Sequence, residues 1–240
     1  MFFSVFITCG YTIHNTLCNS IFKYFERKDI VVINMKRLKV LGVFSGLQSW
    51  ERPFIEGGHY VETLDIEKKF NCTYTQDVLD FTPKKHYDVV LASPPCTYFS
   101  IARQVLNNTP KATTPEQMRL SKAWFQKAID IIKAVKPKYF LIENPSWKRG
   151  ARFYFPSFVN PSSTGSPFIM PQRVDYCMYG CTSQKPTDLW TNIPLDFRRC
   201  NHPRNGHKSF QLTHGSVSRS VIPDELVQHV YDTIIRGYDD

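Results

Sequence analysis

A chain of 240 residues, 42% of them hydrophobic, suits one domain, or one domain with a small lobe, and holds enough apolar material for a sizeable core. Seven cysteines, an odd number with no CxxC pair, exclude a disulfide framework and place the chain in a reducing, intracellular compartment. The formal charge of +9 favours a polyanionic partner, and where the cations cluster says more than their total.

The first 35 residues begin apolar but lack a basic n-region and a long apolar stretch, so they fit neither a signal peptide nor a membrane span, and no membrane anchor is expected. Met35-Lys36-Arg37-Leu38-Lys39 leads directly into the first strand, so residues 1–35 read as an extension separable from a core over 36–170. Leu38 to Phe44 predicts that strand, and Ser45 to Ser49 a turn. Trp50 to Gly57 forms a helix in which Pro53 must sit in the first turn or at a kink. Tyr60 to Asp65 is a second strand, Thr73 to Val78 a third, and Tyr87 to Ala92 a fourth, stopped abruptly by Ser93-Pro94-Pro95-Cys96. Thr114-Pro115-Glu116-Gln117 is a capping box, and Trp124, Phe125, Ala128, Ile131, Ile132 and Val135 continue from it as a helical apolar stripe. Arg119, Lys122, Lys127, Lys133 and Lys136 line its solvated face.

Tyr139 to Ile142 is the fifth strand and ends in Glu143-Asn144-Pro145. Pro156 to Pro167 reads as a surface crossing, Arg173 to Tyr179 alternates like a strand, and Gly180 to Gly215 is irregular and basic. Asp224 to Arg236 closes the chain as an amphipathic helix. The boundaries beyond the core fall at 171–217 for a strand with a basic region and 218–240 for a helix returning to the core. Strands alternating with helices predict an α/β protein, a mostly parallel twisted sheet covered on both faces, with a small irregular basic lobe.

Three strand ends carry potential chemistry: Phe44-Ser45-Gly46, Pro94-Pro95-Cys96 and Glu143-Asn144, with Pro171-Gln172-Arg173 further on. In their order and spacing from about Leu38 to Val230 they resemble the DNA cytosine-5 methyltransferases, in a short form like those of phages and large DNA viruses. The most specific part is Pro94-Pro95-Cys96 followed by Phe99-Ser100, and Glu143-Asn144 is next. The resemblance implies a Rossmann-like class I fold that uses S-adenosyl-L-methionine.

Cytosine chemistry gives these residue types their roles. Carbon 5 is too weak a nucleophile to attack a methyl sulfonium until a thiolate adds at carbon 6, and Cys96 is the expected nucleophile. The charge that develops at ring nitrogen 3 needs an acid whose pKa burial raises, which fits Glu143. Asn144 would fix the loop or the carboxyl group, and by family analogy Arg173 would offer a charged donor to the base.

On the cofactor side the resemblance implies contacts from Phe44, Ser45, Gly46, Asp65, Ile66, Asp77, Val78, Pro94, Ser220 and Val221. Asp65 stands where a carboxylate takes the ribose hydroxyls. Gln48 replaces the family's second glycine, which demands φ > 0 of a residue that disfavours it or crowds the ligand. Arg219 replaces the asparagine of the last motif.

The target base must leave its stack, so the partner is DNA with a flipped cytosine. Arg103 lies on the expected lid. Arg198, Arg199, Arg204 and Lys208 form the densest basic segment, in the place of the family's target-recognition region but shorter. They would track phosphates, read a short sequence and bind in a salt-sensitive way, the chain acting as a monomer. Cys177, Cys181, Cys200, His202 and His207 are of zinc-binding types, but their spacing matches no standard knuckle, so no metal is expected and Cys177 is assigned to the core. RNA cytosine-5 methylation, and a catalytically silent nucleic-acid-binding homologue, are the alternative readings.

Overall fold

The computed structural model describes residues 36–99, 113–147, 150–203, 206–207 and 221–239, and among the described residues lie nine strands, four α-helices and three short 3-10 turns. The expectations placed on residues 1–35, Arg103, Arg204, Lys208, Arg219 and Ser220 lie outside the described residues. The strands are β1 (Lys39–Val43), β2 (Tyr60–Asp65), β3 (Tyr74–Thr75), β4 (Val89–Ala92), β5 (Tyr139–Pro145), β6 (Phe158–Val159), β7 (Phe168–Ile169), β8 (Gln172–Asp175) and β9 (Pro186–Thr191). The helices are α1 (Arg52–Glu56), α2 (Pro115–Val135), α3 (Ala151–Tyr154) and α4 (Asp224–Asp239).

Seven strands form one sheet in the order β3-β2-β1-β4-β5-β9-β8, and β6 pairs with β7 in a separate ribbon. The first five are parallel, β9 runs antiparallel to β5, and β8 antiparallel to β9. This is the expected mostly parallel α/β sheet. Strand alternation sorts the side chains into two cores. Leu41, Val43, Val90, Ala92, Phe140, Ile142 and Trp190 face α2, whose Phe125, Ala128, Ile129 and Ile132 are buried on them. Val40, Val89, Leu91, Leu141 and Leu189 face Trp50 and Phe54 beside α1 and Leu226, Val227, Val230 and Ile234 of α4. α2 starts where its capping box is written: Thr114 Oγ1 accepts from Gln117 N at 3.2 Å and Gln117 Oε1 accepts from Thr114 N at 3.1 Å. Among the described residues, no helix is long and apolar enough to cross a membrane.

Four expectations need correction. The third strand ends at Thr75, because the Asp77 carboxylate caps the 3-10 turn Val78–Asp80 and draws the chain out of the sheet. The predicted surface crossing holds the first half of the β6–β7 ribbon. The run from Arg173 leaves the sheet after Asp175, where Tyr176–Tyr179 coil into a 3-10 turn closed by Gly180 at φ +87°, so Cys177 is not a strand residue. The stretch read as irregular contains β9, buried from Thr187 to Thr191 and central to one half of the sheet.

Candidate active site

Sheet growth reverses direction between β1 and β4, the place in an open α/β sheet where carboxyl ends diverge and leave a ligand crevice. The chain leaving β1 is tightly wound there: Phe44, Gly46 and Gln48 all have left-handed φ, at +57°, +46° and +55°. Two of these are not glycine, and each such residue costs about 1–2 kcal/mol, strain of the sort that collects at ligand sites. Backbone contacts hold the turn. Ser45 N donates to Leu64 O at 3.1 Å, and Gly46 N donates to Asp65 Oδ2 at 3.0 Å. Asp65 Oδ1 accepts from Glu67 N at 2.9 Å, so one carboxylate joins the ends of β1 and β2. Ile66 beside it is 62% exposed, and Val78 is buried behind the capping Asp77. Gln48 takes the φ that its position demands, and its Nε2 donates to Phe70 O at 3.0 Å. A cleft of about 380 Å³ opens between this turn, α1 and the 3-10 turn Lys68–Phe70.

Glu51 escaped the sequence reading. Its carboxyl is 2% exposed and packs where Gly42 lacks a side chain: a Cβ on Gly42 would sit 2.0 Å from Glu51 Oε1 and 2.5 Å from Ser45 Oγ. Burial pushes Glu51 up to about 7, and the Asp65 charge adds to that. The Ser45 hydroxyl and the local backbone moderate the shift, although Ser45 Oγ lies outside strict hydrogen-bond geometry. The available signal was a glycine in the middle of an apolar strand.

At the end of β4 the chain passes beside β1, with Ser93 N donating to Val43 O at 3.1 Å, and enters the Pro94-Pro95-Cys96 turn. β4 and β5 are parallel neighbours with Ala92 opposite Ile142, so the residues that follow lie abreast of Glu143 and Asn144. Asn144 is fully buried and its Nδ2 donates to Pro94 O at 3.0 Å. Cys96 is half-buried and two residues beyond that anchor, a reach of at most about 7 Å along the chain. Phe99 N donates to Cys96 O at 3.0 Å, closing a turn over Cys96–Phe99.

Glu143 occupies the opposite face of β5 from Asn144 and is 9% exposed. Burial raises its pKa, Asp188 reinforces the rise, and the Lys185 cation and the Tyr176 hydroxyl oppose it. Tyr176 Oη donates to Glu143 Oε1 at 3.4 Å, and Lys185 Nζ lies 4.5 Å from the Tyr176 ring centroid. Both partners come from the segment joining β8 to β9 and were not singled out from the sequence.

Arg173 lies opposite Asp188 of β9, which lies opposite Asn144 of β5, so these three share a face. The Asp188 carboxylate is fully buried, with Arg152 Nε 2.9 Å from its Oδ2 as an ion pair whose angle is not that of a hydrogen bond. The Arg173 guanidinium turns to Asp175: Nε and Nη2 approach Oδ1 at 3.1 and 2.8 Å. Asp175 Oδ2 takes Arg199 Nε at 3.3 Å and Cys200 N at 3.0 Å. Arg198 is committed elsewhere, pairing with Glu225 of α4, donating to Met178 O and lying over the Tyr179 ring. The Arg199 side chain is 60% exposed and faces solvent more freely. Val221, at the entry to α4, is 46% exposed.

A family model described as C-5 cytosine-specific DNA methylase matches residues 61–146, a span that holds Asp65, Asp77, Cys96, Glu143 and Asn144. A protein of Frog virus 3 (isolate Goorha) named "Probable DNA (cytosine-5)-methyltransferase" is 30% identical over 169 residues, covering 65% of this chain and 71% of that protein. Among solved structures, the Entamoeba histolytica methyltransferase EhMeth is 14% identical with a TM-score of 0.43, and the match covers 70% of this chain and 57% of that one. Magnesium protoporphyrin IX methyltransferase from Synechocystis PCC 6803, solved with bound SAM, is 13% identical with a TM-score of 0.36, the match covering 73% of this chain and 76% of that one.

Proposed function

The chain belongs to the DNA (cytosine-5)-methyltransferase family, and from that premise we propose that it moves a methyl group from S-adenosylmethionine to carbon 5 of cytosine in DNA, through a covalent bond between Cys96 and the base. One observation carries the reading: the buried Asn144 carboxamide pins the Pro94-Pro95-Cys96 turn to the end of β5, the strand that also carries Glu143, whose carboxyl burial keeps more protonated than usual.

The residues around the β1–β4 crevice fit the cofactor. Each Asp65 oxygen accepts one backbone N–H and keeps a second lone pair for a ribose hydroxyl. Exposed Ile66 offers apolar surface to a purine, and Asp77 with Val78 lies one strand further along. The Phe44-Ser45-Gly46 turn, Pro94 and, from the C-terminal motif, Ser220 and Val221 complete the set. Gln48 does not argue against this, because its amide is tied to the Phe70 carbonyl. When bound, S-adenosylmethionine supplies an electrophilic methyl group.

The chain's own groups do the rest. Cys96, as thiolate, adds to carbon 6 of a cytosine turned out of its stack, and the carbon 5–carbon 6 double bond opens. Glu143 gives its proton to nitrogen 3, so the ring becomes a neutral enamine with electron density at carbon 5. After methylation a base takes the carbon 5 proton, the double bond re-forms as Cys96 leaves as thiolate, and nitrogen 3 returns its proton to the Glu143 carboxylate. Arg173, clamped by Asp175 through Nε and Nη2, would offer its remaining Nη1 to the base carbonyl, and the more exposed Arg199 would meet backbone phosphate.

The test is nucleoside mass spectrometry after incubating the full chain with methyl-labelled cofactor and either DNA or RNA. Label in 5-methylcytosine of DNA, absent with Cys96→Ser, is expected. Label on an exocyclic nitrogen, or only in RNA, would overturn the reading.

A further inference from the structure

Four side chains that the methyl-transfer reading does not use converge beside the basic segment. Cys177 comes from the 3-10 turn after β8, while Cys200, His202 and His207 come from the chain after β9. One donor atom from each lies within 4.8 Å of all the others. Cys200 Sγ is 3.5 Å from His202 Nδ1 and 3.2 Å from His207 Nε2, and the two imidazole rings stand perpendicular with centroids 5.2 Å apart. Cys177 and Cys200 are not joined in a disulfide.

We propose that Cys177, Cys200, His202 and His207 form a structural zinc site that fastens the turn after β8 to the basic segment after β9.

The geometry fits that metal. Zinc held by two thiolates and two imidazoles sits in a tetrahedron whose edges, from ordinary Zn–S and Zn–N bond lengths, run roughly 3.3–3.8 Å. The two sulfur–nitrogen separations fall on or just under that range, and the 4.8 Å envelope leaves the remaining edges a small inward adjustment. A sulfur and nitrogen donor set of this shape selects zinc over magnesium or calcium, which take oxygen. Four protein ligands leave no open position, so the site is structural and not catalytic. Two thiolates also cancel the charge of the ion, so the site adds no positive charge beside Arg173 and Arg199, which share the one Asp175 carboxylate.

The surroundings hold the ligands in place. Cys200 N donates to the buried Asp175 carboxylate at 3.0 Å, which fixes the backbone of one ligand from the last residue of β8. Gly180, in the left-handed region, ends the turn that carries Cys177, and Cys181 N donates to Tyr176 O at 3.3 Å across it. Cys181 itself packs with the apolar cluster on the α4 face and is not among the four. No strand holds the segment from Asn192 to Pro203, and the metal would supply the cross-link that the sheet does not. Arg199 is one residue from Cys200, so the ion would set where that cation meets DNA.

The test uses the untagged full chain purified under reducing conditions without chelator. About one zinc per chain by plasma mass spectrometry is expected, and cobalt(II) replacing it should give the strong visible bands of tetrahedral coordination with thiolate charge transfer. Cys177→Ser, Cys200→Ser and His207→Ala should lose the metal, and Cys181→Ser and Cys72→Ser should keep it. His202→Cys, at an exposed position, should keep tetrahedral cobalt and raise the thiolate charge-transfer intensity about 1.5-fold, since three thiolates replace two. Circular dichroism on every variant separates ligand loss from unfolding. Reduced, folded protein with no zinc and no tetrahedral cobalt spectrum, a metal lost equally from Cys181→Ser, or a Cys177–Cys200 disulfide in protein handled anaerobically would each overturn the assignment.

Discussion

Replacing Glu51 by glutamine removes a buried ionisable group and keeps the shape, and its effect on stability should depend on pH in a defined window. In the unfolded chain the carboxyl titrates at its ordinary 4.5, and in the folded protein at about 7. Between those values the native state holds a proton that the unfolded state has released, so unfolding free energy falls as pH rises. The slope is about 1.4 kcal/mol per pH unit, and across the window the loss reaches about 3 kcal/mol. Glutamine is neutral throughout. Wild type and Glu51→Gln should therefore have similar stability at pH 4.5–5, and the variant should be the more stable by about 3 kcal/mol at pH 8. Urea unfolding of both proteins at pH 5, 6, 7 and 8, with m-values compared to confirm that the same surface is exposed, reads the difference directly. A stability gap that stays constant across these pH values would refute the reasoning, because it would mean that the carboxyl is not held neutral by burial beside Gly42.

Glu143→Gln keeps the hydrogen-bonding shape but has no proton to give, so single-turnover methyl transfer should fall about 10²–10⁴-fold with cofactor affinity unchanged. In the wild type the same step should slow as pH rises through a midpoint above the ordinary carboxylate range, because burial raises Glu143 and deprotonation removes the acid; a pH profile with no alkaline limb from this group would contradict the assignment. Arg199→Ala should weaken DNA binding and reduce the slope of log K against log salt by about 0.9, as one phosphate contact is lost. Arg198→Ala should leave that slope unchanged, since Arg198 is held by Glu225, Met178 O and the Tyr179 ring, whereas Arg199 pairs only through Nε with an Asp175 carboxylate that it shares with Arg173; equal salt slopes for both variants would remove the distinction.

What could be read from the sequence was local. The capping box at Thr114–Gln117 involves residues three apart, and α2 begins there. Tyr60 to Asp65 carries its strand character and its terminal carboxylate in one run, and β2 has those limits. The turn at Pro94-Pro95 follows from the chemistry of proline alone, and the chain does leave the sheet there. The misses all depend on partners distant in sequence. β9 begins with a proline and places Asp188 in its buried centre, a pattern that argues against a strand until Arg152 comes alongside. The strand from Arg173 stops at Asp175 because its pairing with β9 ends opposite Pro186, which sequence alternation cannot show. Glu51 sits in a polar, proline-containing stretch, and only its packing against Gly42 shows that it is buried. The convergence of Cys177 with Cys200, His202 and His207 depends on the 3-10 turn at Tyr176–Tyr179, which the spacing of the cysteines and histidines does not show.

The central claim is that a sulfur held at the end of β4 bonds to a cytosine ring in DNA. It is tested most directly by incubating the protein and S-adenosylmethionine with a duplex containing 5-fluorocytosine at its target site. Fluorine cannot leave carbon 5 as a proton does, so the adduct persists. A denaturation-resistant complex is expected, with the oligonucleotide mapped by mass spectrometry to the peptide containing Cys96 and no complex from Cys96→Ala. Methylation of ordinary DNA by a protein that forms no such complex, or a complex that survives Cys96→Ala, would contradict the account.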